Sequence, residues 1–343
     1  MAQNAAMTRD LAQRTLELVD IPSESGDEAA VGAYVRAAVP AEPVYDDDTV
    51  LLYEPAGGSP VLLAGHLDTV PSQDNRPGRI EDGWVVGLGA TDMKGGLAVM
   101  IELARAGAPF SYLFFGREEL AAADSPLPRF FQRRPLAVEL AIVLEPTDNA
   151  IHAGCLGNVN ARLVFHGESA HTARPWLGRN AIAEAVRGLG AVIALEPERV
   201  EVEGLEFVEV VTVTRIAGGI ASNVVPDRVE ADLNYRYAPS RTPQEAEERL
   251  RALVSDEAEI LSNSPAARVA ARSPLVERLR EVGGFELHPK QAWTPVAEFS
   301  AQGLDAVNLG PGATRYAHRR DERVEIAALE RTFQALSAFA GTF

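Results

Sequence analysis

Residues 60–71 read PVLLAGHLDTVP, an apolar run that ends in His66 and Asp68. Side chains two apart on a strand point to the same face, so the imidazole and the carboxylate emerge side by side where the strand ends. One reading is a helix cap with a chance neighbour. The other is a metal ligand beside the carboxylate that orients it. The rest of the chain decides between them, because the arrangement recurs. Asp92 follows VVGLGAT, Glu118 and Glu119 follow SYLFFGR, Glu145 follows LAIVL, and His318 follows AVNLGPGATRYA. Each charged or imidazole group stands just past the carboxyl end of an apolar run, where open α/β sheets bind their ligands.

Taken singly, each residue has a plainer reading. Glu118 and Glu119 suit the acidic first turn of a helix, Asp92 suits a helix cap, Glu145 a solvated loop, and His318 the surface near RRDE. Those readings do not explain why all of them fall at strand ends. Carboxylates gathered in one crevice repel and are costly to bury unless something pairs with them. A pair of divalent cations removes the repulsion, and an aspartate can bridge two ions.

Near the start of the chain, TRDLAQRTLELVD (8–20) has helical spacing. The turn IPSESGDE follows, and its Ser25–Glu28 stretch reads as the opening of a second helix, EAAVGAYVRAAV. Short strands VLLYEP and PVLLAGHLDT come next, then a loop rich in Pro, Asp and Gly, then WVVGLGATD leading into a helix that starts near Lys94. FSYLFFG and LAIVLEP are further strands. Alternating strands and helices give an α/β core whose sheet is mixed and mostly parallel, with helices on both faces. The character changes near Gly157. A strand (NVNARLVFHG), a helix, two strands, a helix capped by Thr242 and Glu245, and a short strand AEIL follow the β-α-β-β-α-β order of a ferredoxin-like α+β unit. The expected division is a core of 1–157 and 265–343 interrupted by an insert of 158–264.

Composition narrows the functional classes. The chain has 343 residues, 46% of them hydrophobic, and a formal net charge of −17. That length supports one large core or two moderate ones. Such acidity argues against nucleic acid and anionic membranes as partners. The single cysteine, Cys155, excludes an intramolecular disulfide and a cysteine-rich zinc site. The first residues show no signal-peptide pattern and no apolar stretch spans a membrane, so a cytoplasmic setting is expected. GLGATD begins like a dinucleotide fingerprint, but Asp92 stands where its third glycine belongs. No G-x-S-x-G occurs, which argues against a nucleophile-elbow hydrolase; ESAH holds Ser169 and His171 without such an elbow.

GHLDTVP, GATDMKGGLA, EE, LEPT, GESAHTARPWLGRNAI, GGIASNVVPD, NYRYAP and GPG…AHRRDE occur in the order of a known family. The chain resembles, over nearly its whole length, the co-catalytic zinc peptidases and deacylases that include carboxypeptidase G, aminoacylase and succinyl-diaminopimelate desuccinylase. LLAGHLDTVP…DNRP, LEPTD and WLGRNAI are most similar to the actinobacterial-type desuccinylases. The resemblance implies a zinc-exopeptidase-like core and an inserted dimerisation domain. It implies two Zn2+, which Co2+ can replace, held by His66, Asp92 and Glu145 and by Asp92, Glu119 and His318. It implies Glu118 as general base, Asp68 as the residue that orients His66, and a cis peptide between Asp92 and Met93. From the insert, His171 would stabilise the oxyanion in the partner subunit of a homodimer. Asn223 and Arg236 would bind the substrate carboxylate, and Thr294 is retained as a substrate-site residue. His152 and His166 are read as structural.

The implied activity is hydrolysis of a small N-acylated amino acid, foremost N-succinyl-LL-2,6-diaminopimelate. The alternatives are an acyl-lysine or acyl-ornithine deacylase, a carboxypeptidase, a dipeptidase, or a non-catalytic binding protein on the same scaffold. One segment departs from the family wording TDVARF. It reads TPVAEF here, with Pro295 and Glu298, which puts a carboxylate where an arginine is usual.

Overall fold

The computed structural model describes residues 2–255 and 257–343 and divides into two compact units. The first runs to Ala153 and resumes over Ala270–His288 and Glu298–Phe343; the second comprises Gly154–Val269 and Pro289–Ala297. Thr294 therefore lies in the second unit, outside the insert boundaries expected from sequence.

The first unit is built on an eight-stranded sheet. Four strands form its parallel centre, in the order Ser111–Phe115, Val61–His66, Leu140–Val143 and Asp305–Asn308. Val50–Tyr53 and Tyr45–Asp46 add antiparallel strands at one margin. Ile151–Cys155 pairs antiparallel with Asp305–Asn308 on the other side, and Leu287–Lys290 is the edge strand beyond it. The runs VLLAGH, SYLFF and LAIV are buried at every position, as strands covered on both faces must be. Because the central four are parallel, all their carboxyl ends lie on one edge of the sheet, and the residues that follow them meet there.

The helix Gly95–Arg105 packs on this sheet with Leu97–Ile101 and Leu103 buried. It comes close enough that a Cβ on Gly96 would stand 2.6 Å from the main-chain oxygen of Leu144, so only glycine fits there. That approach seats the helix directly beside the residue preceding Glu145. A small antiparallel sheet of Arg79–Glu81, Trp84–Val86 and Arg323–Glu325 flanks the same region. Its first two strands form a hairpin, the first of them within the stretch expected as a Pro-, Asp- and Gly-rich loop. The signal was Asp82–Gly83, both at positive φ, the pair that a tight hairpin turn favours.

The second unit carries a five-stranded antiparallel sheet in the order Glu198–Val202, Leu205–Gly218, Arg228–Tyr237, Gly157–His166 and Glu259–Ser264. Four of these strands have the expected ferredoxin-like arrangement. Glu198–Val202 is an additional edge strand, turned on Glu203 and Gly204 at positive φ. The helices Ala181–Ile193 and Pro243–Val254 cover one face. Ala181, Ala185, Leu189 and Val192 pack with Leu163, Val229, Ala231 and Leu233, while Ala246 and Leu250 pack with Val159, Ala161, Tyr235 and Tyr237. The Thr242–Glu245 capping box is formed. Among the described residues no helix is long and apolar enough to cross a membrane.

Candidate metal centre

His66 is the last residue of its strand and is fully buried. Glu118 and Glu119 follow Ser111–Phe115 by three and four residues, Glu145 follows Leu140–Val143 by two, and His318 follows Asp305–Asn308 by ten. Asp92 sits in the wide turn Ala90–Lys94 that feeds the buried helix, and its peptide bond to Met93 is cis, as the resemblance implies. All six belong to the first unit.

Asp92 faces both ways. Its Oδ1 lies 3.1 Å from Nε2 of His66, and its Oδ2 lies 3.5 Å from Nε2 of His318. Glu145 Oε1 is 3.7 Å from His66 Nε2, and Glu119 Oε1 is 3.0 Å from His318 Nε2. Two groups result, His66–Asp92–Glu145 and Asp92–Glu119–His318, each with ligand atoms within 4.8 Å of one another and sharing Asp92. Glu118 joins His66 and Glu119 in a third such group. The His66 side chain is 0% exposed and that of His318 50% exposed, so the cluster has a closed floor and an open rim.

The local charges act on one another strongly. Burial opposes protonation of His66, yet Asp68 and Asp92 outweigh it and raise its pKa well above the ordinary histidine value. Asp92 and Glu119 raise His318 to about 10. Burial works against ionisation of Asp92, but its hydrogen bonds to His318 and His66 prevail and lower its pKa. Glu118 has no such partner, and burial, reinforced by Glu145, pushes it well up. The donor set of imidazole nitrogens and carboxylate oxygens suits a divalent cation of the zinc type, and the two-sided Asp92 suits a pair. The residues fit the implied group: cations placed there would offset the charge of the crowded carboxylates.

The segment that delivers Glu118 and Glu119 is fixed through the backbone N–H groups of all four of its residues, Gly116 to Glu119. Gly116 N–H donates to the Thr49 carbonyl at 2.9 Å, and Arg117 N–H to Glu28 Oε1 at 3.1 Å. The N–H groups of Glu118 and Glu119 donate to Asp68 Oδ1 and Oδ2, each at 3.1 Å. Arg117 adopts φ 62°, a left-handed turn that a non-glycine residue holds only under such restraint. Ser25, read from sequence as part of a helix opening, instead donates its hydroxyl to Asp68 Oδ2 at 2.7 Å, and the helix begins at Ala29. Ser25 and Glu28 are thus supporting residues that sequence reading did not identify.

The remaining expected site residues lie in the second unit. His171 pairs with Val224 in an isolated bridge, and Thr172 N–H donates to the Asn223 carbonyl at 3.1 Å, so His171 and Asn223 stand on neighbouring segments. His171 is exposed, and its Nδ1 accepts the N–H of Ala173 at 3.0 Å. Arg236, on Arg228–Tyr237, donates from Nε to Asn234 Oδ1 at 2.9 Å, and burial lowers its pKa. Thr294 is buried, its carbonyl facing the Cys155 thiol at 3.8 Å. Glu298, in the first unit, accepts the Ser125 hydroxyl at 3.0 Å, and burial pushes its carboxyl up to about 7.

Comparison with known proteins gives the chain a family. The model of the family described as peptidase family M20/M25/M40 matches residues 62–342. The chain is 36% identical to a Mycobacterium tuberculosis protein provisionally named as a succinyl-diaminopimelate desuccinylase, over 97% of this chain and 98% of that one. It is 34% identical to the succinyl-diaminopimelate desuccinylase of Corynebacterium glutamicum, covering 91% of each. Among solved structures it is similar in fold to the aminopeptidase PepT of Bacillus cereus, with a TM-score of 0.77 at 20% identity over 98% of this chain and 99% of that one.

Proposed function

The chain belongs to the peptidase family M20/M25/M40, and from that premise we propose that it hydrolyses the amide bond of N-succinyl-LL-2,6-diaminopimelate to give succinate and LL-2,6-diaminopimelate. The observation that carries this reading is the doubly facing Asp92 between His66 and His318, in a chain whose relatives at 34% and 36% identity bear that enzyme's name.

In this reading His66, Asp92 and Glu145 hold one Zn2+, and Asp92, Glu119 and His318 hold the second; Co2+ suits the same donors. When bound, the cations supply Lewis-acid polarisation of the amide carbonyl and lower the pKa of a water. The chain's own residues do the rest. Glu118 takes the water's proton on its carboxylate and passes it to the departing amine nitrogen. Asp68 keeps Glu118 and Glu119 in register through their N–H groups. His171, contributed by the partner subunit, donates from Nε2 to the developing oxyanion, and Asn223, Arg236 and Thr294 bind the substrate's polar ends. The homodimer forms through the second unit. Ile182, Val186 and Ile193 project from one face of the helix Ala181–Ile193 at 43%, 65% and 72% exposure, an apolar stripe suited to a second copy. The setting is cytoplasmic.

The segment TPVAEF motivates a second reading, deacylation of an acetylated lysine or ornithine, because Glu298 stands where the resemblance leads one to expect an arginine. A panel of succinyl-diaminopimelate, acetyl-lysine, acetyl-ornithine and dipeptides, assayed with metal content measured on the same samples, tests both. Succinate release with the highest kcat/KM supports the first reading. Faster cleavage of an acetylated substrate replaces it with the second, and a metal-loaded protein that cleaves none of them sinks both.

A further inference from the structure

Glu322 is four residues beyond His318, is 1% exposed, and belongs to none of the candidate ligand groups. Its Oε1 accepts two consecutive backbone N–H groups, from Thr91 at 3.1 Å and from Asp92 at 3.0 Å. Its own carbonyl accepts the N–H of Gly87 at 2.9 Å. The residues that follow, Arg323–Glu325, pair with Trp84–Val86, the strand leading into Asp92. Toward its other end the segment folds back on His318. Glu322 N–H donates to the Arg319 carbonyl at 3.2 Å, and Gln73 and Asn75 donate side-chain N–H groups to the carbonyls of His318 and Arg319.

A carboxylate buried beside Asp92 is an expensive choice if the role is only to fill space, because a charge out of water must be compensated. The compensation here is the pair of N–H groups on the segment that aims Asp92. Glu322 therefore ties the backbone of Asp92 to the segment carrying His318, about 230 residues away in the chain, as the hydrogen bonds to Thr91 and Asp92 record. The two cation groups depend on this tie unequally. His66 and Glu145 are set by the parallel strands Val61–His66 and Leu140–Val143. His318 stands in no strand; it adopts φ 59°, and its side chain is half exposed.

We propose that Glu322 is a positioning residue that fixes Asp92 against His318 and thereby sets the affinity of the second cation site, Asp92–Glu119–His318. This rests on the two-cation reading above. Partners that hold metal ligands in place are typically worth 10–100-fold in metal affinity.

The test uses the full chain, stripped of metal and titrated with Zn2+ by calorimetry and with Co2+ by its visible spectrum, with thermal unfolding followed in parallel. Glu322→Ala removes both hydrogen bonds, Glu322→Asp retracts the carboxylate by one methylene, and Glu322→Gln keeps an oxygen that accepts both N–H groups. The expected result is that the Ala and Asp variants bind the first cation like the wild type but bind the second at least about tenfold more weakly. Their second Co2+ band should be altered, and Gln should restore both affinity and spectrum. If Ala does not fold, Asp carries the comparison. A folded Ala or Asp variant that binds both cations as the wild type does overturns the inference, as does a Gln variant as impaired as Asp. A wild type that takes up a single cation overturns the two-cation reading, and this inference with it.

Discussion

His66 directs its Nδ1 at the main-chain carbonyl of Asp68, 3.0 Å away, while the Asp68 carboxylate lies 3.6 Å off, beyond hydrogen-bonding distance. A carbonyl only accepts, so Nδ1 carries the proton and Nε2 presents its lone pair to the centre when the ring is neutral. The Asp68 carboxylate acts on the ring through its charge and also receives the Ser25 hydroxyl and the N–H groups of Glu118 and Glu119. The sequence suggests a carboxylate that orients the histidine through its side chain. In the structure the main chain of Asp68 fixes the ring's tautomer, while its carboxylate faces the ring by charge and holds the glutamate pair.

Asp68→Asn keeps the backbone carbonyl and places an amide where two N–H groups converge. One of the two must then meet the amide nitrogen, which cannot accept. Turnover should fall about 10²-fold, a value within the range for misplaced proton-transfer groups, while the His66 cation stays bound. Steady-state kinetics with elemental analysis checks this. Loss of the cation in step with activity would return the Asp68 side chain to the service of His66.

Glu118→Gln removes the proposed proton carrier and leaves Glu119, Asp92 and the histidines unchanged. Turnover should drop by about 10²–10⁴, with cation content and KM close to wild type. Near-normal turnover in a fully metal-loaded variant would mean that another group moves the proton.

The convergence of the candidate ligands was legible because they follow apolar strand runs, and the parallel order of those strands brings their ends together. The supporting residues were not. Ser25 donates to the Asp68 carboxylate, and Glu28 and Glu322 accept backbone N–H groups, at separations of 43 to 231 positions, so no local spacing marks them. The missed strands differ in kind. Arg79–Glu81 and Glu198–Val202 are short edge strands, but Asp82–Gly83 and Glu203–Gly204 are turn pairs whose positive φ values close the hairpins, and the alternation in ERVEVEGLEF was readable beside the second.

Glu298 gives stability a pH dependence with a definite sign. Burial raises its carboxyl from 4.5 to about 7, so the folded chain retains a proton that the unfolded chain loses between those values. Stability from this group therefore falls as pH rises through that window. The loss is complete above about 7 and amounts to at most about 3 kcal/mol. Glu298→Gln should be more stable than wild type at pH 8 and converge with it near pH 4.5 in urea titrations of the metal-free protein. A difference that does not change across this range would contradict a buried, proton-retaining Glu298.

His171 tests the proposed dimer directly. Its Nδ1 accepts the Ala173 N–H, which leaves the proton of the neutral ring on Nε2, the form needed to donate to an oxyanion. Such donors are typically worth about 2.7–4 kcal/mol in the transition state, so His171→Ala alone should be severely impaired, as should Glu118→Ala. Mixing the two variants distinguishes service within a subunit from service across the interface. If His171 acts on the partner's centre, each mixed dimer pairs the intact Glu118 of one subunit with the intact His171 of the other and regains one complete site. If it acts within its own subunit, both sites of the mixed dimer stay defective. Native mass spectrometry establishes that subunits have exchanged, and the succinate-release assay reads the outcome. Mixed dimers that form and remain inactive would remove His171 from the partner's reaction.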